Sequence, residues 1–278
     1  MPESGLTPIT HGHSIMLAAV LLGVAILYAG GWFRLEAVAK RENRSWRPVA
    51  FCFGFLLFWA ALESPLSTMD HESLTAHMTK HLLLMTIAPA LILVAKPIAV
   101  ISRGLPQRFA EQVLSGFRLP IVRRIGRFLA NPIVCWSAAT IVLVGWHVPA
   151  IFTFGMSSTT VHAIEDFSFV CAGFLFWWPV LHPWTATLDR TRWLMIVYLF
   201  LATLPCDILS AYLTFCDRVV YTHYLHLPGA TTMSVLRDQE FAGALMWTCV
   251  TIIYLIPASI LTVRLLSPVG PSGTRNLG

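Results

Sequence analysis

Apolar residues gather into seven long runs separated by short polar stretches, near 14 to 33, 48 to 65, 72 to 95, 132 to 153, 162 to 181, 193 to 214 and 240 to 263. Each run is about 20 residues long, which suffices for a helix to cross a hydrocarbon core of roughly 30 Å. The pattern predicts an all-α protein, an integral membrane bundle of seven transmembrane helices. Composition agrees: 56% of the 278 residues are hydrophobic and 12% charged, where an ordinary soluble domain carries about 25% charged residues. The mean hydropathy is +0.69. So little polar chain remains that a single transmembrane domain over 1–278 is expected. The tail before the first run has no Lys or Arg, which argues against a secretory signal peptide with its basic leader.

The cations set an orientation, because cytoplasmic loops collect Lys and Arg. Sixteen of the nineteen fall on one side of the seven-span scheme: Arg34, Lys40, Arg41, Arg44 and Arg47; Lys96, Arg103, Arg108, Arg118, Arg123, Arg124 and Arg127; Arg190 and Arg192; Arg264 and Arg275. Lys80, Arg218 and Arg237 are the exceptions. The N-terminus is therefore expected outside and the C-terminus in the cytoplasm. Basic and apolar residues alternate over 103–128, which reads as an amphipathic segment on the inner leaflet. The pI near 9.0 is thus a topology signal with some attraction to membrane lipid, and not a nucleic-acid footprint. Phe176-Trp177-Trp178-Pro179 reads as an inner aromatic belt. The six cysteines include no C-x-x-C pair and read as buried free thiols packing as small hydrophobes.

The exceptional stretch is Asp70-His71-Glu72-Ser73-Leu74-Thr75-Ala76-His77-Met78-Thr79-Lys80-His81, at the mouth of the third run and inside it. Ionisable groups at that depth are costly and so point to function. On a helix His77 and His81 lie one turn apart on one face, and Met85 continues that face inward. Imidazole, imidazole and thioether in a row suit a soft or borderline metal. Met78 points about 100 degrees away from the His77 face.

Other runs carry polar residues at the same end. His147 stands near the outer end of the fourth, about 22 Å from Pro132 and level with His77. His162 and Asp166 share a face at the start of the fifth, and Asp207 follows Pro205 inside the sixth. The seventh opens with Asp238-Gln239-Glu240, with Met246 two turns deeper on the Asp238 face. Nine of ten histidines fall on the outer side or in the outer half, His182 being the exception. Such a layout predicts a polar, metal-competent cavity open to the exterior. His77, His81, His147 and His162 are its primary ligands, and Met78, Met85, Asp166, Asp238 and Met246 are further candidates or support the ligands. His71 and Asp207 are possible participants, and His11, His13, His223 and His226 stay undecided. Histidine with methionine suits copper, particularly Cu(I); histidine with carboxylate suits Zn(II) or Cu(II), so copper leads with zinc open.

His77-Met78-x-x-His81-Leu82-Leu83-Leu84 with Pro89 and Lys96-Pro97, Trp146-His147-x-Pro149, His162 with Phe176-Trp177-Trp178-Pro179, and Asp238-Gln239-x-x-Ala242-Gly243-x-x-Met246-Trp247 together resemble the seven-span CtaG-type cytochrome c oxidase assembly factors. The likeness runs in order from about Arg47 to Arg264. It implies a multi-pass protein of the bacterial plasma membrane that helps make active haem-copper oxidase of the caa type. It also implies a part in copper insertion, with oxidase subunits as partners and His77, His81, His147, His162 and Asp238 as the site. Lys80 departs from the uncharged polar residue expected there, and beside His81 its charge needs Asp166, Asp207 or Asp238 to neutralise it.

The leading expectation is a non-enzymatic metal chaperone or assembly factor. A seven-span zinc hydrolase and a bis-histidine haem protein are the alternatives, and the sequence sets no oligomeric state.

Overall fold

The computed structural model describes residues 8–34, 46–64, 66–106, 108–109, 111, 115–116, 119–181 and 189–267. The side chains of His11 and His13, and His182 altogether, lie outside the described residues, as do Lys40, Arg41, Arg44, Arg118 and Arg275 and the side chains of Arg103, Arg190 and Arg192.

Among the described residues every regular element is helical. In chain order they are α1 (Pro8–Phe33), α2 (Trp46–Glu63), α3 (Leu66–Met69), α4 (Leu74–Leu82), a π-helical turn (Leu83–Ile87), α5 (Ala88–Val94), α6 (Pro97–Gly104), α7 (Pro120–Leu129), α8 (Pro132–Trp146), α9 (Pro149–Met156), α10 (Thr159–Leu181), α11 (Asp189–Phe215), a 3-10 turn (Thr222–His226) and α12 (Thr232–Leu266). Five stretches are long and apolar enough to cross a membrane: Trp46–Glu63, Leu74–Val94, Thr159–Leu181, Trp193–Phe215 and Thr232–Leu266. The pair α7 and α8, bent by 63°, makes a sixth if taken as one span. Large apolar side chains stand exposed on the bundle, among them Phe53, Ile141, Phe167, Phe200 and Ile252, as a lipid-facing surface requires.

The run at 14 to 33 falls on α1 (Pro8–Phe33), whose side chains are described from Ala19 on. One of the seven expected spans differs from expectation. The run at 132 to 153 is broken after Trp146: His147 caps α8, Val148 is extended with ψ 124°, and Pro149 starts α9. Proline drives the residue before it out of the helical region and has no N–H to continue the ladder, so one span becomes two pieces. The aromatic belt is also revised. Phe176 and Trp177 are buried and pack on Tyr198 and Tyr254 in the core, because those faces of α10 point at α11 and α12. The part of 103–128 that is described includes most of α7, whose Ile121, Ile125 and Phe128 form a stripe beside Arg123, Arg124 and Arg127. The six cysteines are free.

The third span carries the chemistry and its irregularity has a local cause. Pro89 cannot donate to the carbonyl four residues back, and just before it the helix loosens to a π turn in which Ala88 N–H bonds Leu83 O. α10 lies directly against this turn, and Gly173 is what allows the approach. A Cβ built there would stand 2.5 Å from Met85 O and 2.8 Å from Pro89 Cγ. Gly243 plays the same part between α12 and α11, where a Cβ would meet Thr214 Oγ1 at 2.6 Å and Ser210 O at 2.8 Å.

Gly173→Ala should therefore lower the unfolding free energy in detergent by about 1–3 kcal/mol through overpacking. Gly23→Ala, where an added Cβ meets nothing within 4 Å, should be neutral or slightly stabilising. Equal thermal midpoints for the two variants would contradict the close approach.

Candidate metal centre

Asp238, near the start of α12, sets where α4 begins. Its carboxylate accepts hydrogen bonds from Ser73 Oγ at 2.9 Å, Leu74 N at 2.6 Å and Thr75 N at 3.3 Å, and Thr75 Oγ1 donates to its backbone oxygen at 3.1 Å. Ser73 is the N-cap and accepts from Ala76 N. The negative group thus sits on the orphan N–H groups and the positive end of the helix dipole. The neighbouring Gln239 accepts from Val220 N at 2.7 Å and donates to Arg218 O at 3.1 Å, pinning the segment after α11. Asp238 is placed as a capping group and does not meet the histidines.

Fixed in this way, α4 presents His77 and His81 one turn apart, their rings 4.2 Å between centroids. Phe152 of α9 meets the His77 ring edge-on at 5.0 Å, and Phe169 of α10 stacks on His81 at 3.9 Å. Both imidazoles are buried, and all four of their ring nitrogens lack a hydrogen-bond partner, as does Glu165 Oε1. His77 Nε2 is 3.5 Å and His81 Nε2 3.6 Å from that same Oε1, too long for good hydrogen bonds. Ligands about 2.0–2.2 Å from a tetrahedral ion stand roughly 3.3–3.6 Å apart. The separations therefore fit an ion held between His77, His81 and Glu165, whose ligand atoms all lie within 4.8 Å of one another.

Behind this trio is a buried charge network. Lys80 Nζ lies 2.7 Å from Asp70 Oδ2 and 2.7 Å from Asp166 Oδ2, so Asp166 and the unanticipated Asp70 neutralise it, whereas Asp207 and Asp238 do not. His162 Nδ1 is 3.1 Å from Glu165 Oε2 and its Nε2 2.9 Å from Asp70 Oδ2. Carboxylates only accept, so the ring donates to both and offers no lone pair to a metal. In this arrangement His162 orients Glu165, and with Asp70 and His71 it also forms a second group whose ligand atoms lie within 4.8 Å of one another. Lys80 Nζ also comes within 3.1 Å of His162 Nε2, a repulsion that Asp70 between them offsets. Burial pushes the Asp70 carboxyl up, but the His162 hydrogen bond and the Lys80 charge outweigh it and hold the group below the usual carboxylate range. The stability it contributes is present above its unfolded pKa, near 4, and is lost as pH falls below that. Asp70 and Asp166 balance Lys80 and His162, so the negative charge of the trio's own Glu165 is left over, which favours a bound cation.

The remaining candidates divide. His147 and Met78 meet each other, Nε2 to Sδ 3.2 Å, and with Met85 and Met246 they line a cavity next to His81. Asp166 Oδ1 is unpartnered and 3.8 Å from His81 Nε2. His71 is a partly exposed rim group that burial shifts below the usual imidazole range, and its ring lies 5.0 Å from His162. Asp207 stands apart on α11, one oxygen unpartnered. His223 and His226 belong to the 3-10 turn over this end and enter neither group of converging ligands.

The cavity expected to be open is covered. Tyr221 and Tyr224 pack on Phe152 with ring centroids 4.2 Å and 6.1 Å away. Their hydroxyls donate to His147 O at 3.1 Å and Asp70 O at 3.0 Å. Glu165 is the candidate ligand that sequence reasoning missed. Its signal was spacing, since three residues from His162 on a helix puts it on nearly the same face.

Lys80→Met should cost about 3–5 kcal/mol, because it leaves Asp70 and Asp166 buried without a counter-charge. Adding Asp70→Asn should restore part of that. Unfolding in detergent checks it, and a Lys80→Met protein as stable as the parent would contradict the network.

No curated protein and no solved structure matches the chain. The family model for the cytochrome c oxidase caa3 assembly factor (Caa3_CtaG) matches residues 26–267, most of the sequence and all of the site. The chain belongs to that family of oxidase assembly factors.

Proposed function

We propose that this protein binds copper on His77, His81 and Glu165 at the outer side of the bacterial plasma membrane and passes it to a subunit of a haem-copper oxidase. The observation that carries the reading is the set of buried, unpartnered ligand atoms at metal-ligand spacing: Nε2 of His77, Nε2 of His81 and Glu165 Oε1. Leaving such atoms bare in an apolar interior costs free energy that a cation recovers. The surplus negative charge supports a cation, and the thioethers beyond His81 support copper, because soft sulfur ligands select Cu(I). Membership in an assembly-factor family favours a carrier over an enzyme.

Two histidines with one glutamate are also the donor set of hydrolytic zinc centres, which keeps zinc as the second reading. Haem is disfavoured, since the cavity bordered by His81 and His147 measures about 40 Å³ and pockets for organic ligands run to roughly 300–1,000 Å³.

Purified protein loaded with copper should hold about one equivalent more than the His77→Ala, His81→Ala double variant, by elemental analysis. The same double variant should fail to restore oxidase activity to a deletion strain at limiting copper, and added copper should partly rescue it. Equal metal content in the two proteins would overturn the assignment of the site.

A further inference from the structure

The cavity beyond His81 has a chemistry unlike that of the carboxylate-bearing trio. Its walls include the thioethers of Met78, Met85 and Met246, the thiol of Cys206 and the imidazoles of His81 and His147. All six residues are buried, and the space of about 40 Å³ exceeds the 10–15 Å³ or so that one water-sized sphere requires. It has room for one ion.

His147 shows where that ion would sit. Its Nδ1 is 2.6 Å from Leu143 O, and a carbonyl oxygen only accepts, so Nδ1 carries the hydrogen. In the neutral ring the other nitrogen, Nε2, then holds a lone pair, and it faces Met78 Sδ at 3.2 Å. A thioether sulfur likewise presents lone pairs and has no hydrogen to give. Two electron-pair donors therefore meet in a buried chamber with no proton between them. A backbone carbonyl on the far nitrogen is also how ligating histidines are oriented in metal sites.

We propose that this chamber is a second metal site, distinct from His77, His81 and Glu165, which takes a soft monovalent ion such as Cu(I) on Met78 and His147 with Met85 and Met246 beside them. Thioethers and imidazole without a carboxylate discriminate against Zn(II) and for Cu(I) or Ag(I). His81 borders both places: its Nε2 is 3.6 Å from Glu165 Oε1, and its ring also lines the cavity. The proposal rests on the copper reading only for the identity of the natural ion, and not for the existence of the site.

The test uses the full chain in detergent, titrated anaerobically with Cu(I) against a chromophoric chelator, and separately with Zn(II). Wild type should take two equivalents of Cu(I) and one of Zn(II). Met78→Leu with Met246→Leu, a swap that conserves volume, should take one of Cu(I) and still one of Zn(II), the latter showing that the fold and the trio survive. His77→Ala with Glu165→Gln should keep one Cu(I), and X-ray absorption of that sample should show sulfur neighbours. A single Cu(I) equivalent in wild type that the methionine substitutions leave unchanged would overturn the second site, as would an absorption spectrum with nitrogen and oxygen neighbours alone. Should the methionine pair lose Cu(I) while the His77 and Glu165 variant binds as much metal as wild type, the chamber stands and the trio falls.

Discussion

A lysine ammonium buried among helices in an apolar bundle is the constraint to which the rest of this end of the protein answers. Taking an ion out of water costs several kcal/mol even after relaxation, and Lys80 is only 2% exposed. Two carboxylates at 2.7 Å, Asp70 and Asp166, meet that cost. Asp70 lies just before α4 and Asp166 on α10, so the pairing locks the spacing between the third span and the fifth. His162 then reaches from Asp70 to Glu165, and Glu165 is turned toward His77 and His81 in consequence. The lysine whose charge looked hostile to a metal is thus part of what aims the Glu165 carboxylate at the two histidines.

The same logic accounts for the placement of the motifs that do not touch the histidines. Asp238 and Gln239 hold the start of α4 and the segment after α11, while Gly243 one turn on lets α12 close on α11. Gly173 does the same for α10 against the π turn. These residues act through the position of His77 and His81 along and around α4. A wrong cap would rotate or fray the turn that carries His77.

Much of this was legible in the sequence because it follows from periodicity. His77 and His81 on one face and the convergence of several spans at one end are consequences of 3.6 residues per turn and of apolar run length. Packing and pairing were not legible. Whether His162 gives a lone pair or a hydrogen depends on what faces it across space, and carboxylates at both nitrogens make it an orienting group. Asp238 read as a ligand because an aspartate at a membrane helix end carries no mark of the N-terminus it will cap. His147 was grouped with His77 and His81 for its depth, yet with Met78, which points off the His77 face, it lines the chamber beyond His81. The broken fourth span was visible in Pro149, whose effect on Val148 outweighs the apolar pattern running through it.

On the copper reading, the covered state of the trio limits how metal can enter or leave. On the sides formed by α4 and α10 the site is walled by continuous packed helix, and opening there would break the Lys80 network. The cover is held differently. Tyr221 and Tyr224 each donate a single hydrogen bond to a backbone oxygen, worth about 1 kcal/mol apiece net; Tyr221 caps the short 3-10 turn and Tyr224 lies within it. Phe152, which they rest on, belongs to the eight-residue α9, joined to α8 through the break at His147 and Val148. Displacing α9 with the 3-10 turn would also expose Phe152, Tyr221 and Tyr224, each nearly fully buried, and would act on the backbone of His147, whose carbonyl Tyr221 holds. The residue that anchors the cover at this point is also one whose ring lines the thioether chamber.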